Sequence, residues 1–174
     1  VLDCTEGNLH IGDTDWHCEQ PGDFFLPNVK ITFYPEPLTR DTGCLRVIPG
    51  SHVAGSPDLL APLRKSPREP DFRPFGMAPS EIPSYSFASQ PGDVIVFTES
   101  VLHAAFGGKS GRHQHAISFM ANPRTEDEVA HLRDVHSRMK YSYHPAESYI
   151  NSDSPRLRRM VEPMVELGFE TSKV

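Results

Sequence analysis

Proline sets the first limit on what this chain can become. Seventeen of its 174 residues are proline and twelve are glycine. Each proline fixes φ and removes an amide donor, so neither a helix interior nor a central strand runs through it without cost. This argues against a helical bundle, and many short elements joined by turns are expected, as in all-β domains. Asn8-Leu9-His10-Ile11 reads as a short strand leading into the turn-prone Asp13-Thr14-Asp15. Val29 to Tyr34 alternates and is β-branched and aromatic, which predicts a strand closed by Pro35 and Pro37. Cys44 to Ile48 is the next, closed by Pro49-Gly50. Ser84 to Phe87, Val94 to Thr98 (read as buried) and His113 to Met120 are further strand-like runs.

The stretch 55–84 holds seven prolines. A long, Pro-broken connection in a small domain is functional or solvated, so it is expected to be a lid over a site or a surface insertion. From Thr125 the period changes. Thr125 and Glu128 form a capping box, and Val129, Leu132, Val135 and Met139 fall at helical spacing. Ser154-Pro155 opens a second helix, which Pro163 is expected to kink or restart and Gly168 to end. The expectation is one domain over residues 1–174, with a C-terminal helical segment at 125–168. Its core is all β, about eight strands closed as a jelly-roll. The chain opens at Val1 close to a strand-like run, which reads as lacking an N-terminal part of the natural protein.

Hydrophobic residues make up 37%, enough for a core, and net charge is −6 with no basic stripe. Nucleic acid is therefore not an expected partner. No apolar run approaches the roughly 18–20 residues of a membrane span, and no signal peptide opens the chain. Cys4, Cys18 and Cys44 are sparse, odd in number and form no CxxC pair. That fits a reducing, cytoplasmic compartment and argues against a Cys-based zinc site.

Two distant segments carry chemistry: Trp16-His17-Cys18-Glu19, and Gly92 to Phe97 leading into Leu102-His103. On an extended segment, side chains two apart share a side, so His17 and Glu19 face one way. Two imidazoles and one carboxylate, with no fourth ligand, suit a non-heme Fe(II) centre with open positions. A closed zinc site needs a fourth residue. Asp15 and Asp13 are rival carboxylates; His10, His52, His113 and His115 are rival imidazoles. His52 follows a turn and is expected to support it, and His113 and His115 are expected to face away. Trp16 and Phe33 are expected either to line the pocket or to fill the barrel, with core packing preferred.

Leu38 to His52, with its Cys44-Leu45 and Pro49-Gly50-Ser51-His52, Pro91 to His103, and Trp16 to Glu19 together resemble segments of the phytanoyl-CoA dioxygenase-like proteins. The resemblance runs from about Asn8 to Asn122. It implies a double-stranded β-helix, Fe(II), O2 and 2-oxoglutarate as co-substrate. It also implies metal binding by His17, Glu19 and His103, and hydroxylation of a small molecule with release of succinate and CO2. Glu19 stands where Asp is usual; it still coordinates. The family's 2-oxoglutarate-binding Arg lies about eleven residues after the second His, which here is Gln114. Arg112 lies two residues earlier on the same side of the strand, and its planar fork suits a carboxylate. Arg112 is taken as the anchor, with Thr32, Gln114 and Ser118 as further candidates. The rivals are a metal-dependent cupin-type enzyme that does not use 2-oxoglutarate, and a non-catalytic ligand-binding barrel. Substrate identity and oligomeric state are not legible in the sequence.

Overall fold

A computed structural model describes residues 1–19, 26–53, 56–64, 71–109, 111–138 and 144–171. Among them are eight strands: β1 (Leu2–His10), β2 (Thr14–His17), β3 (Asn28–Phe33), β4 (Leu45–Val47), β5 (Tyr85–Phe87), β6 (Ile95–Phe97), β7 (His103–Ala105) and β8 (Arg112–Met120). They form two four-stranded sheets, ordered β1-β8-β3-β6 and β2-β7-β4-β5. The α-helices are α1 (Ser56–Leu59), α2 (Glu126–Arg138), α3 (Glu147–Ile150) and α4 (Pro155–Glu166). The protein is mostly β-sheet with a few C-terminal helices. No helix among the described residues is long and apolar enough to cross a membrane.

The residues fall into two compact units, Val1–Glu6 with Leu26–Lys30 and Ala116–Val174, and Gly7–Phe25 with Ile31–His115. In the first, the Met120 amide donates to the Val1 carbonyl at 2.9 Å, and the Ala121 amide to the Pro27 carbonyl at 2.7 Å. The capping box at α2 is formed: the Glu128 amide donates to Thr125 Oγ1 at 3.2 Å, and the Thr125 amide to the Glu128 carboxylate at 3.1 Å. Leu132, Val161 and Met164 are buried. Met139 lies outside the described residues. α4 runs through Pro163 from Pro155 to Glu166, so the proline does not restart the helix. Its ring frees the Arg159 carbonyl, but Arg159 is exposed, so water can satisfy that oxygen. Val161 and Met164, buried on either side, hold the helix across it.

In the second unit β4 pairs antiparallel with both β5 and β7, and β2 pairs antiparallel with β7. Of the stretch 55–84, described outside 55 and 65–70, Leu63, Pro74 and Ile82 are buried while Leu59 and Phe75 are exposed. Leu63 and Ile82 cluster with Trp16, Leu102, Ala104 and Phe106. The Trp16 indole N–H donates to the Pro79 carbonyl at 2.8 Å. This segment therefore covers the sheet face that Trp16 occupies, the reverse of the one its neighbour His17 occupies.

Strand alternation has an unexpected sign. In β3 the buried positions are Asn28, Lys30 and Thr32, while Val29 and Phe33 are exposed. Phe33 is thus not core; it stacks on the exposed His115 ring at 5.1 Å. The run Val94–Thr98 is likewise not a fully buried strand. Ile95 is buried, but Val94 and Val96 are 59% and 60% exposed, so only one side of this run is covered.

Candidate metal centre

β2 and β7 pair with Thr14 opposite Ala105 and His17 opposite His103, so β2 gains one residue between those pairs. Such a bulge re-aims the side chains beyond it. Here it brings the two imidazoles to a centroid separation of 4.2 Å. Glu19 follows β2, held by its amide on the Glu99 carbonyl at 3.2 Å. Its Oε1 lies 3.9 Å from His103 Nε2. One ligand atom from each of His17, Glu19 and His103 lies within 4.8 Å of the others, the one such group of three or more among the described residues.

The hydrogen bonds of the rings prepare them as ligands. His17 Nδ1 bonds the Asp15 carbonyl at 2.7 Å and His103 Nδ1 the Val101 carbonyl at 2.9 Å. A carbonyl only accepts, so each Nδ1 carries the proton and each Nε2 presents a lone pair. This is how metal-binding imidazoles are held in place. Two imidazoles and one carboxylate within that spacing are the donor set of a divalent iron centre with open positions, so the residues fit such an ion. Asp15 contributes its carbonyl rather than its carboxylate, whose pKa burial and Asp13 push up. Phe97 meets the His103 ring edge-on at 5.1 Å.

Arg112 opens β8 and is 2% exposed, so it is not a solvated turn residue. It donates to the Gly12 carbonyl at 2.9 Å and to Thr14 Oγ1 at 2.6 Å. Two glycines make room for it. A Cβ on Gly108 would stand 2.3 Å from its Nη1 and one on Gly43 3.1 Å. Those two bonds use two of a guanidinium's five donors, so the group retains capacity for a carboxylate. Gln114 takes a different place. Its Nε2 donates to Thr32 Oγ1 at 3.1 Å and lies 3.4 Å from the Tyr34 hydroxyl, and its Oε1 bonds His10 Nε2 at 2.9 Å. Thr32, fully buried, donates to the His115 carbonyl at 3.1 Å. Burial raises the Tyr34 pKa, while the Thr32 hydrogen bond and the Arg112 charge pull it down. Ser118 is not drawn into this group. It belongs to the first unit, where it bonds the Cys4 thiol, whose pKa burial pushes up to about 12.

Sequence reading missed three residues here. Tyr34 lies two positions beyond Thr32, and that period was the signal available. Thr14 gave none. Ser51 was passed over for its neighbour His52, which is exposed; the Ser51 oxygen accepts the Leu102 amide at 2.7 Å.

The sequence profile of the phytanoyl-CoA dioxygenase (PhyH) family matches residues 5–116, more than half of the chain. The chain belongs to the phytanoyl-CoA dioxygenase family. This is an enzyme family of non-heme oxygenases that depend on iron, 2-oxoglutarate and O2. No curated protein matches the chain. Among solved structures, AviO1 from Streptomyces viridochromogenes Tue57 is 17% identical with a TM-score of 0.54, over 72% of this chain and 52% of that one. SnoN, a non-heme alpha ketoglutarate dependent epimerase from nogalamycin biosynthesis, is 17% identical with a TM-score of 0.50, over 70% and 49%. SnoK, a carbocyclase of the same biosynthesis, is 18% identical with a TM-score of 0.50, over 80% and 58%. At these identities the likeness is one of fold. This phytanoyl-CoA dioxygenase family chain spans about half the length of the structures it matches.

Proposed function

We propose that this chain carries the catalytic core of an Fe(II)- and 2-oxoglutarate-dependent oxygenase that oxidises a C–H bond of a small organic molecule, with hydroxylation as the simplest outcome. One observation carries the reading: His17, Glu19 and His103 converge within 4.8 Å, and both imidazoles have Nδ1 tied to a carbonyl. The two four-stranded sheets and the likeness to SnoN and SnoK support a double-stranded β-helix around them.

When bound, an iron centre with open positions couples reduction of O2 and decarboxylation of 2-oxoglutarate to attack on an unactivated C–H bond. The chain's residues do the rest. His17 and His103 hold the ion through Nε2, and Glu19 supplies the anionic ligand. Arg112 anchors the far carboxylate of 2-oxoglutarate, with the hydroxyls of Thr14 and Tyr34 beside it. Phe97 and Val47 keep the His103 side apolar, and Trp16 with Leu63 and Ile82 excludes water from behind the sheet.

The test is succinate release from 2-oxoglutarate by the full chain with Fe(II), with and without candidate substrates. Release that needs Fe(II) and fails in His103→Ala supports the reading; metal-loaded protein that neither binds nor consumes 2-oxoglutarate sinks it. The network that occupies Gln114 favours a second reading, a metal-dependent enzyme of the same fold without 2-oxoglutarate. Metal binding with no 2-oxoglutarate binding would select it.

A further inference from the structure

Ser51 closes the turn that follows β4, and that turn holds both backbone groups of one distant residue. The Ser51 hydroxyl oxygen accepts the Leu102 amide at 2.7 Å, and the Ile48 amide donates to the Leu102 carbonyl at 3.0 Å. The turn is itself closed by the Ser51 amide on the Ile48 carbonyl at 3.2 Å. Ser51 and Leu102 are fully buried, so water cannot replace the hydroxyl. Leu102 directly precedes His103. Val101, one residue earlier, offers the carbonyl that takes the His103 Nδ1 proton at 2.9 Å. Its own amide is held on the Thr98 carbonyl at 3.1 Å. The aim of His103 Nε2 is therefore set by residues 101–102, and β7 begins only at His103 itself.

We propose that Ser51 is a positioning residue for the metal centre: its hydroxyl locks the peptide that carries both His103 and the carbonyl orienting its ring. The proposal rests on reading His17, Glu19 and His103 as metal ligands. Without the hydroxyl, the Leu102 amide is buried with no acceptor, a state a chain escapes by turning the peptide. Turning that peptide moves Leu102 and its neighbours, and with them the ring. Partners hydrogen-bonded to a metal ligand typically change metal affinity 10–100-fold when removed. Ser51 acts one peptide further back, through Leu102, so the low end of that range is expected. The imidazole of His52 has no part in this, being exposed.

The experiment measures Co(II) affinity of the full chain by calorimetry, with the visible Co(II) spectrum as a report of the ligand set. Ser51→Ala should bind about tenfold more weakly with an altered spectrum. Ser51→Cys fills nearly the same volume with a poor acceptor and should weaken binding too, so it carries the test if Ser51→Ala does not fold. Ser51→Thr keeps the hydroxyl and should recover affinity. In metal-free protein the Leu102 amide should exchange faster in the Ala and Cys variants, with β5 amides unchanged. Variants that match the wild-type Co(II) affinity and spectrum overturn the proposal. A wild-type chain that binds no Co(II) overturns the reading of the triad instead, and this proposal falls with it.

Discussion

His17 and His103 face each other across β2 and β7 with ring centroids 4.2 Å apart, and each turns its Nδ1 to the carbonyl two residues before it, Asp15 and Val101. The same local device on two strands fixes the tautomer of both rings, so neither needs a carboxylate partner behind it. Replacing either ring removes one of three ligands. His17→Ala and His103→Ala should each lose measurable Ni(II) binding in calorimetry while keeping a cooperative thermal transition. Wild-type affinity in either would contradict the centre.

The co-substrate anchor is decided between two residues on one face of β8. Arg112→Ala should weaken 2-oxoglutarate binding to the metal-loaded chain at least tenfold, because a charge-assisted fork is lost. Gln114→Ala should change it far less, its amide being engaged with Thr32 and His10. Titration with 2-oxoglutarate ranks the two. The opposite ranking assigns the anchor to Gln114.

Gly108 offers an independent check on the seat of Arg112. A Cβ there would meet Arg112 Nη1 at 2.3 Å and the Gly12 carbonyl at 2.9 Å. Gly108→Ala should therefore displace the guanidinium and weaken 2-oxoglutarate binding as Arg112→Ala does. Metal affinity should stay at the wild-type value.

Leu63, 2% exposed, is part of the cluster behind the sheet. Leu63→Ala should cost about 2–4 kcal/mol of stability, the usual range for a buried leucine. Denaturant unfolding measures it. In the protein that remains folded, Ni(II) affinity should be unchanged, since the cluster lies on the face opposite the ligands.

The C-terminal helices carry a pH dependence. The His136 ring lies against that of His144 at 3.9 Å, tilted by 40°, and meets Phe169 edge-on at 4.9 Å. Burial, then His144 and Arg133, lower its pKa; Glu170 works the other way. A histidine with a depressed folded pKa binds protons more readily when unfolded, so stability falls as pH drops. Thermal stability should hold above about pH 6.5 and decline below it. His136→Gln should flatten that decline. An unchanged profile would show that the ring contributes nothing.

Short-range signals read well. Thr125 and Glu128 gave the start of α2, and the spacing of two between His17 and Glu19 gave a shared side. Pro163 does not restart the helix, because the carbonyl it frees belongs to the exposed Arg159 and can reach water, which a local rule does not contain. Ser51 was hidden because its partner, Leu102, is far away in the chain.

By itself the sequence determined the alternating period of runs such as Val29 to Tyr34, the turns at Pro35 and Pro49-Gly50, and the ligand types on offer. It read Thr14 and Asp15 as a turn where the structure has β2, and it did not show β7. Only the tertiary structure decided which side of each strand is covered. Alternation of two is symmetric between faces, so Val29 to Tyr34 could bury its apolar set or Asn28, Lys30 and Thr32. The polar set is buried, where Thr32 meets Gln114. The bulge between Thr14 and His17 was equally beyond the sequence, because it exists only in the pairing of β2 with β7, and that pairing is what sets His17 opposite His103.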